Sequence, residues 1–236
     1  MPRGLAIETS GRIGSIALVE DRRLVAEDQF PHGLRHAAEI ICRIDVLCRG
    51  AGWTPRDLAE LYVSVGPGSF TGLRIGVTLA KTLAFATGAL LVAVPSVEVL
   101  ALNAPPDCQN VVIVLDAKRD QIFTARFVNA KGRPIEAEPA HLDTLAAMLE
   151  RSPRPVYLIG EGIPFHERFM SGAQGVTIAP PELWQARASA VAEIGARLAR
   201  EGKFVSPDLL TPMYVRKPEA EEKRDREDVK REDVKT

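Results

Sequence analysis

The stretch "YVSVGPGSFTGLRIGVTLAKTLA", residues 62–84, runs from an apolar strand through a loop of glycines and hydroxyls into a helical pattern. Nucleotide enzymes build phosphate cradles in this order, because glycines bring backbone N–H groups close to anionic oxygens. The spacing matches none of three catalytic motifs of that general shape. Gly68 and Gly72 enclose three residues where a P-loop has four, and Leu73-Arg74 stands where Lys-Ser/Thr is required. The dinucleotide fingerprint finds Gly66 and Gly68, then Thr71 in place of its third glycine. The nucleophile elbow fails at Pro67, two residues before Ser69. Gly66, Pro67, Gly68, Ser69, Phe70, Thr71, Gly72 and Arg74 therefore form a loop with three readings. It is a strand–helix turn capped by Ser69 or Thr71, an anion or nucleotide contact, or a contact with another protein.

Other side chains offer less. Asp116, at the end of a strand beside Lys118, Arg119 and Asp120, is the best-placed carboxylate, with a charged surface turn as the plainer reading. Glu8-Thr9-Ser10 is a phosphate-facing turn or a hydrogen-bonded strand end. His32 and His36 are four apart, but Pro31 and Gly33 put His32 at or before the helix start, and no Glu or third ligand accompanies the pair. No metal site is expected. Cys42, Cys48 and Cys108 lack metal-type spacing and leave one thiol over in any disulfide scheme, so a reduced, cytoplasmic protein is expected.

The elements that must position these groups follow from periodicity. Residues 5–10, 14–20 and 23–30 read as a meander of strands. A helix over 34–51 carries Ala37, Ile40, Ile41, Ile44, Leu47, Cys48 and Ala51 on one stripe. A strand at 58–66, a helix at 72–87 with Arg74, Thr78 and Lys81 as its polar ridge, a strand at 89–94 and a short helix from Ser96 complete the first half. The pattern then begins again after Pro105-Pro106. Strands are expected at 110–117, 121–128, 156–160 and 175–178, with helices at 142–150 and 186–201. We expect a domain over 1–104, a smaller one over 105–216 whose last helix packs back on the first, and a charged tail over 217–236.

Composition excludes several classes. The chain has 236 residues, 46% of them apolar, and no apolar run reaches the roughly 18 residues that span a bilayer. Residues 217–236 hold 7 basic and 8 acidic side chains, with "REDVK" twice in tandem, and read as solvated and disordered. The body that remains has 23 of each sign, so it lacks the broad basic surface that captures nucleic acid, while a small basic patch on one face stays compatible.

"GLAIETSGRIGSIALVE", the stretch from "HGLRHAAEI" through "VGPGSFTGLRIG" to "VPSVEVLA", "VLDAKRDQIFTARF" and "PMYVRKP" together resemble the bacterial TsaB (YeaZ) family. That family belongs to the machinery making threonylcarbamoyladenosine in tRNA. The resemblance runs to about Lys217 and implies an α/β, actin/Hsp70/sugar-kinase-like fold of two related domains with mixed sheets. It implies a non-catalytic partner of TsaD, joined by the small ATPase TsaE and homodimeric when alone, with tRNA contacted mainly through the complex. It implies no cofactor of the chain's own, with ATP or ADP to be sought at the interface with partners. Glu8-Thr9-Ser10 and Asp116-Ala117-Lys118 then become degenerate phosphate turns, Glu8 standing where the family usually has Asp. Ile40, Ile44 and Leu47 on one helix, with Ile75, Leu79 and Leu83 on the next, become a two-helix pad for the partner. The competing expectation is a stand-alone ATPase or small-molecule kinase of that fold, or a peptidase.

Overall fold

The computed structural model describes residues 2–31, 36–170 and 172–215. His32, the side chain of His36 and the charged segment 217–236 with its repeats lie outside the described residues. Three strands open the chain: β1 (Arg3–Glu8), β2 (Ile13–Glu20) and β3 (Arg23–Pro31). Their apolar runs are covered on both faces in β1 and β2. Asp21 and Arg22, with φ of 49° and 65°, make the tight turn between β2 and β3. Helix α1 (His36–Gly50) leads to β4 (Glu60–Gly66), and α2 (Phe70–Thr87) leads to β5 (Leu90–Pro95) and then α3 (Ser96–Ala101). β1 pairs antiparallel with β2 and parallel with β4, giving the order β3-β2-β1-β4-β5.

The second half contains β6 (Asn110–Ile113), β7 (Leu115–Asp116), β8 (Ile122–Ala130), β9 (Arg133–Asp143), α4 (Leu145–Arg151), β10 (Val156–Ile159), β11 (Val176–Ile178) and α5 (Ala188–Arg200). β6 pairs antiparallel with β8 and parallel with β10, β8 pairs antiparallel with β9, and β10 parallel with β11. The path β9-β8-β6-β10-β11 thus repeats the order and directions of the first sheet. The expected two related α/β domains with mixed sheets are present.

Three local expectations are corrected. The strand over 110–117 is broken at Val114, whose N–H donates to Ile159 (2.8 Å) and whose carbonyl accepts from Gly162 (2.9 Å). β9 was not anticipated, because Pro134 and Pro139 argue against a central strand and are tolerated here at an edge. Helix α4 begins at Leu145, since Thr144 caps it by accepting from Ala147 N–H (3.3 Å).

The faces of α1 and α2 also correct an expectation. A sheet face must be covered before a helix stripe is available to anything else. Ile40 and Ile44, 1% and 2% exposed, and Leu79 at 8% turn inward onto Leu5, Ile7, Leu61 and Val63. They belong to this chain's own core and present no contact surface. Leu47, Ile75 and Leu83 are half-buried at the rim of that core. Outward, α1 shows Ile41 and Val46, and α2 shows Thr71, Arg74, Thr78, Thr82 and Phe85.

Helix α5 crosses back to the other face of the first sheet and, with α3, fills the space between the sheets. Its first turn is tied to β2 and β3, where the Ser15 hydroxyl accepts from Ala188 N–H (2.8 Å) and the Glu27 carboxylate from Ser189 N–H (2.9 Å). A carboxylate there also suits the positive end of the helix dipole. Gly195 lies so close to Tyr62 that a Cβ would meet its Cβ at 2.6 Å. Gly195→Ala is expected to lower the unfolding free energy by about 1–3 kcal/mol through overpacking. Urea titration checks this against the gain of roughly 1 kcal/mol that helix propensity alone gives.

Candidate functional site

Because the two sheets share one topology, the turn after β1 and the turn after β7 are equivalent and face each other. Between them lies a cavity of about 600 Å³. Ser10, Gly11 and Arg12 line it from the first turn, and Asp116, Ala117, Lys118 and Arg119 from the second. Pro67, Gly68, Ser69 and Phe70 come from the glycine loop, Glu161 and Phe165 from the segment after β10, and Met213, Tyr214 and Val215 from the end of the described chain.

The glycine loop is folded onto the first turn. Ser69 N–H donates to the Ser10 carbonyl (2.7 Å), and the Thr9 hydroxyl donates to the Gly72 carbonyl (2.8 Å). Gly68 has no room for a side chain, since a Cβ would sit 2.5 Å from the Ser10 carbonyl oxygen. Gly66, at φ 113°, needs the left-handed region that glycine tolerates. Of the two candidate caps, Ser69 is the one used: its hydroxyl accepts from Gly72 N–H (3.3 Å), which starts α2 at Phe70. Thr71 points outward.

The first turn is engaged from the inside as well. Ser10 N–H donates to the Glu8 carboxyl (2.5 Å), and Arg12 N–H donates to both oxygens of Glu161 (3.0 and 2.9 Å). Glu8 is fully buried, and its other oxygen has no hydrogen-bond partner among the described residues. Burial raises its pKa above the ordinary 4.5, against the lowering effect of its hydrogen bonds at Ser10, and Glu161 adds to the rise. Burial likewise raises the pKa of Glu161, opposed by the Arg12 N–H. In the second turn the Asp116 carboxylate accepts from Lys118 N–H (3.1 Å) and lies 3.4 Å from the buried His166 ring.

The mouth is aromatic and cationic. Arg74 lies over the Phe70 ring (3.9 Å to the centroid) and donates to the Tyr214 hydroxyl (3.1 Å), while Tyr214 packs on Phe70 at 4.9 Å. Arg12 lies over Phe165 at 4.9 Å. Tyr214 is delivered by a strap over 203–215. Val205 N–H donates to Leu91 at the edge of β5 (2.9 Å), Leu210 is buried, and Met213 N–H donates to Val65 (2.6 Å).

The structure thus brings Ser10, Asp116 and residues 67–70 around one cavity, with Glu8 and Thr9 in support behind it. It leaves the helix residues Ile40, Ile44, Leu47, Ile75, Leu79 and Leu83 away from that cavity's lining. Sequence reasoning missed Glu161, Phe165, His166 and Tyr214. The flanking glycines of "GEG" and the i, i+4 spacing of Phe70 and Arg74 were the available signals.

Two equivalent mixed-sheet domains closing on a cleft between their first turns define the actin/Hsp70/sugar-kinase-like class. A family model described as TsaD, tRNA N6-adenosine threonylcarbamoyltransferase, matches residues 33–201. The chain is 32% identical to the tRNA threonylcarbamoyladenosine biosynthesis protein TsaB of Bacillus subtilis, over 93% of this chain and 96% of that one. It is 24% identical to TsaB of Escherichia coli, over 91% and 94%. YeaZ from Pseudomonas aeruginosa superimposes with a TM-score of 0.76 at 22% identity, covering 91% of this chain and all of that one. The chain belongs to the TsaB family of tRNA threonylcarbamoyladenosine biosynthesis proteins.

The buried carboxyl supplies a test. A folded-state pKa above the unfolded one means that the folded protein holds more protons, so stability from Glu8 is present at low pH and lost as pH rises through the raised value. Glu8→Gln is expected to raise the melting temperature at neutral pH, with the difference closing below about pH 4.5. Thermal unfolding followed across pH reads this directly.

Proposed function

We propose that this chain is the non-catalytic scaffold subunit that binds and activates TsaD for threonylcarbamoyl transfer to the adenosine beside the anticodon of tRNA. The observation that carries the proposal is the engagement of the phosphate-turn donors. Ser10, Arg12 and Ser69 N–H groups, which would hold phosphate oxygens in a turning-over relative, are bound within the chain. Turn donors so engaged support retention of the fold for positioning a partner, and argue against a stand-alone ATPase, kinase or peptidase. TsaE joins the pair, the chain is a homodimer when alone, and ATP or ADP binds where the partners meet rather than in a cradle of this chain. The reduced thiols of Cys42, Cys48 and Cys108 fit a cytoplasmic setting.

The outward faces of α1 and α2 are the surface offered to TsaD. Val46 and Phe85, 69% and 65% exposed, replace the buried residues of the expected pad as its apolar points, with half-buried Leu47, Ile75 and Leu83 beside them. Val46→Asp and Phe85→Asp are expected to keep the fold and to weaken association with TsaD on the order of tenfold or more. The decisive assay is threonylcarbamoyl transfer to unmodified tRNA by TsaD, TsaE and the adenylate-forming synthase, with and without this chain. Modification should require the chain and fall with both variants. Undiminished modification without it, or sustained ATP turnover by the chain alone, would overturn the scaffold reading.

A further inference from the structure

Four aromatic side chains among the described residues are exposed, Phe85, Phe165, Phe204 and Tyr214, and two of them open onto the interdomain cavity. Tyr214 is 41% exposed and Phe165 51%, the first seated against the first domain by the strap and the second carried by the segment after β10. Soluble proteins expose single aromatic rings without consequence, but two rings lining one concave site are a stacking platform. Cations surround them: Arg12, Lys118 and Arg119 line the same cavity, and Arg74 backs the Phe70–Tyr214 pair.

The turn that carries two of these cations is strained. Lys118, Arg119 and Asp120 have φ of 61°, 56° and 59°, three consecutive non-glycine residues in the left-handed region. Side chains with a Cβ are strained there, and such outliers cluster at functional sites. Lys118 and Arg119 on this turn line the cavity.

The placement of charge decides what fits. A free triphosphate needs converging donors at the base of a cleft, and those N–H groups are engaged with Glu8, Glu161 and Ser10. The positive charge lies on long side chains that line the cavity beside its aromatic walls. That suits a flat base entering the cavity with phosphodiesters left at the rim, as in single-strand recognition. A base within a duplex is stacked on both faces and cannot enter.

We propose that the interdomain cavity holds one unpaired nucleotide of an RNA strand, its base on Tyr214 and Phe165 and its flanking phosphates on Arg12, Lys118 and Arg119. The choice of RNA rests on the family's place in tRNA modification; the cavity is lined by residues of this chain, so it is tested on the full chain alone. A formally neutral body carries this as a local patch, which predicts modest affinity and a shallow salt dependence.

The probe is a fluorescein-labelled RNA hairpin with an unpaired loop, compared with the same strand annealed to its full complement and with ATP as competitor. Anisotropy should show the hairpin bound and the duplex at least about tenfold weaker. Tyr214→Leu and Phe165→Leu should each weaken the hairpin by roughly 5- to 150-fold, the range for loss of one stacked base. Lys118→Ala should reduce the slope of log affinity against log salt by about 0.7. Arg133→Ala, in a separate depression with Glu98 and Arg197, should change neither. The substituted side chains are exposed, and matched melting temperatures show that the fold is kept. Absence of hairpin binding, equal binding of the duplex, or wild-type affinity in both aromatic variants would overturn the proposal. Displacement of the RNA by micromolar ATP would also overturn it, by making the cavity a mononucleotide site. Failure on any of these counts leaves the reconstitution assay, and the scaffold reading, standing separately.

Discussion

The close approach of the glycine loop to the Glu8–Ser10 turn is the contact on which the cleft depends. Two main-chain segments meet there because Gly68 presents no Cβ to the Ser10 carbonyl, just as Gly66 presents none to Met213 of the strap. The hydrogen bond from Ser69 to Ser10 and that from Thr9 to Gly72 lock α2 to the first strand. The helix start, the floor of the cavity and the seat for the strap at Val65–Met213 all follow from that contact. Glycines that allow backbone to approach a ligand elsewhere here allow backbone to approach backbone.

A second constraint comes from burying charge. Glu8 faces inward with one oxygen unpartnered among the described residues, and its neutral form is the one such a site favours. Glu161 reaches from the second domain to accept the one Arg12 backbone N–H on both its oxygens, so the turn of one domain is completed by a carboxylate of the other. Asp116 and buried His166 form the corresponding polar contact behind the second turn. The two halves of the cleft are thereby held by polar groups near its walls and by the α3–α5 core between the sheets.

Much of the fold was legible in the sequence because hydrophobic periods survive in it. The first meander, the parallel crossovers and the restart after Pro105-Pro106 all follow from alternation and 3.6-residue stripes. The stripe on α1 was legible too, but its destination was not. Ile40 and Ile44 have the spacing of a buried face, and spacing alone does not distinguish a chain's own sheet from another subunit. β9 escaped because its prolines and acids suit an edge that only the finished sheet defines. The cavity was half legible: residues 67–70 and Asp116 stood out by type, while Glu161, Phe165 and Tyr214 acquire meaning only when segments far apart in sequence converge.

Helix α5 has a consequence for how the molecule is made. The first sheet is complete in strands by Pro95, yet the helix that covers one of its faces begins at Ala188. On a ribosome, the early half emerges with that apolar face bare for as long as the intervening residues take to appear. Loop-closure entropy must then be overcome before Val191, Ala192 and Gly195 can dock on Tyr62 and its neighbours. The amino-terminal half therefore carries its own sheet but not the helix that covers one face of it. A chain halted before Ala188 leaves that apolar face uncovered, the kind of surface on which chaperones and proteases act.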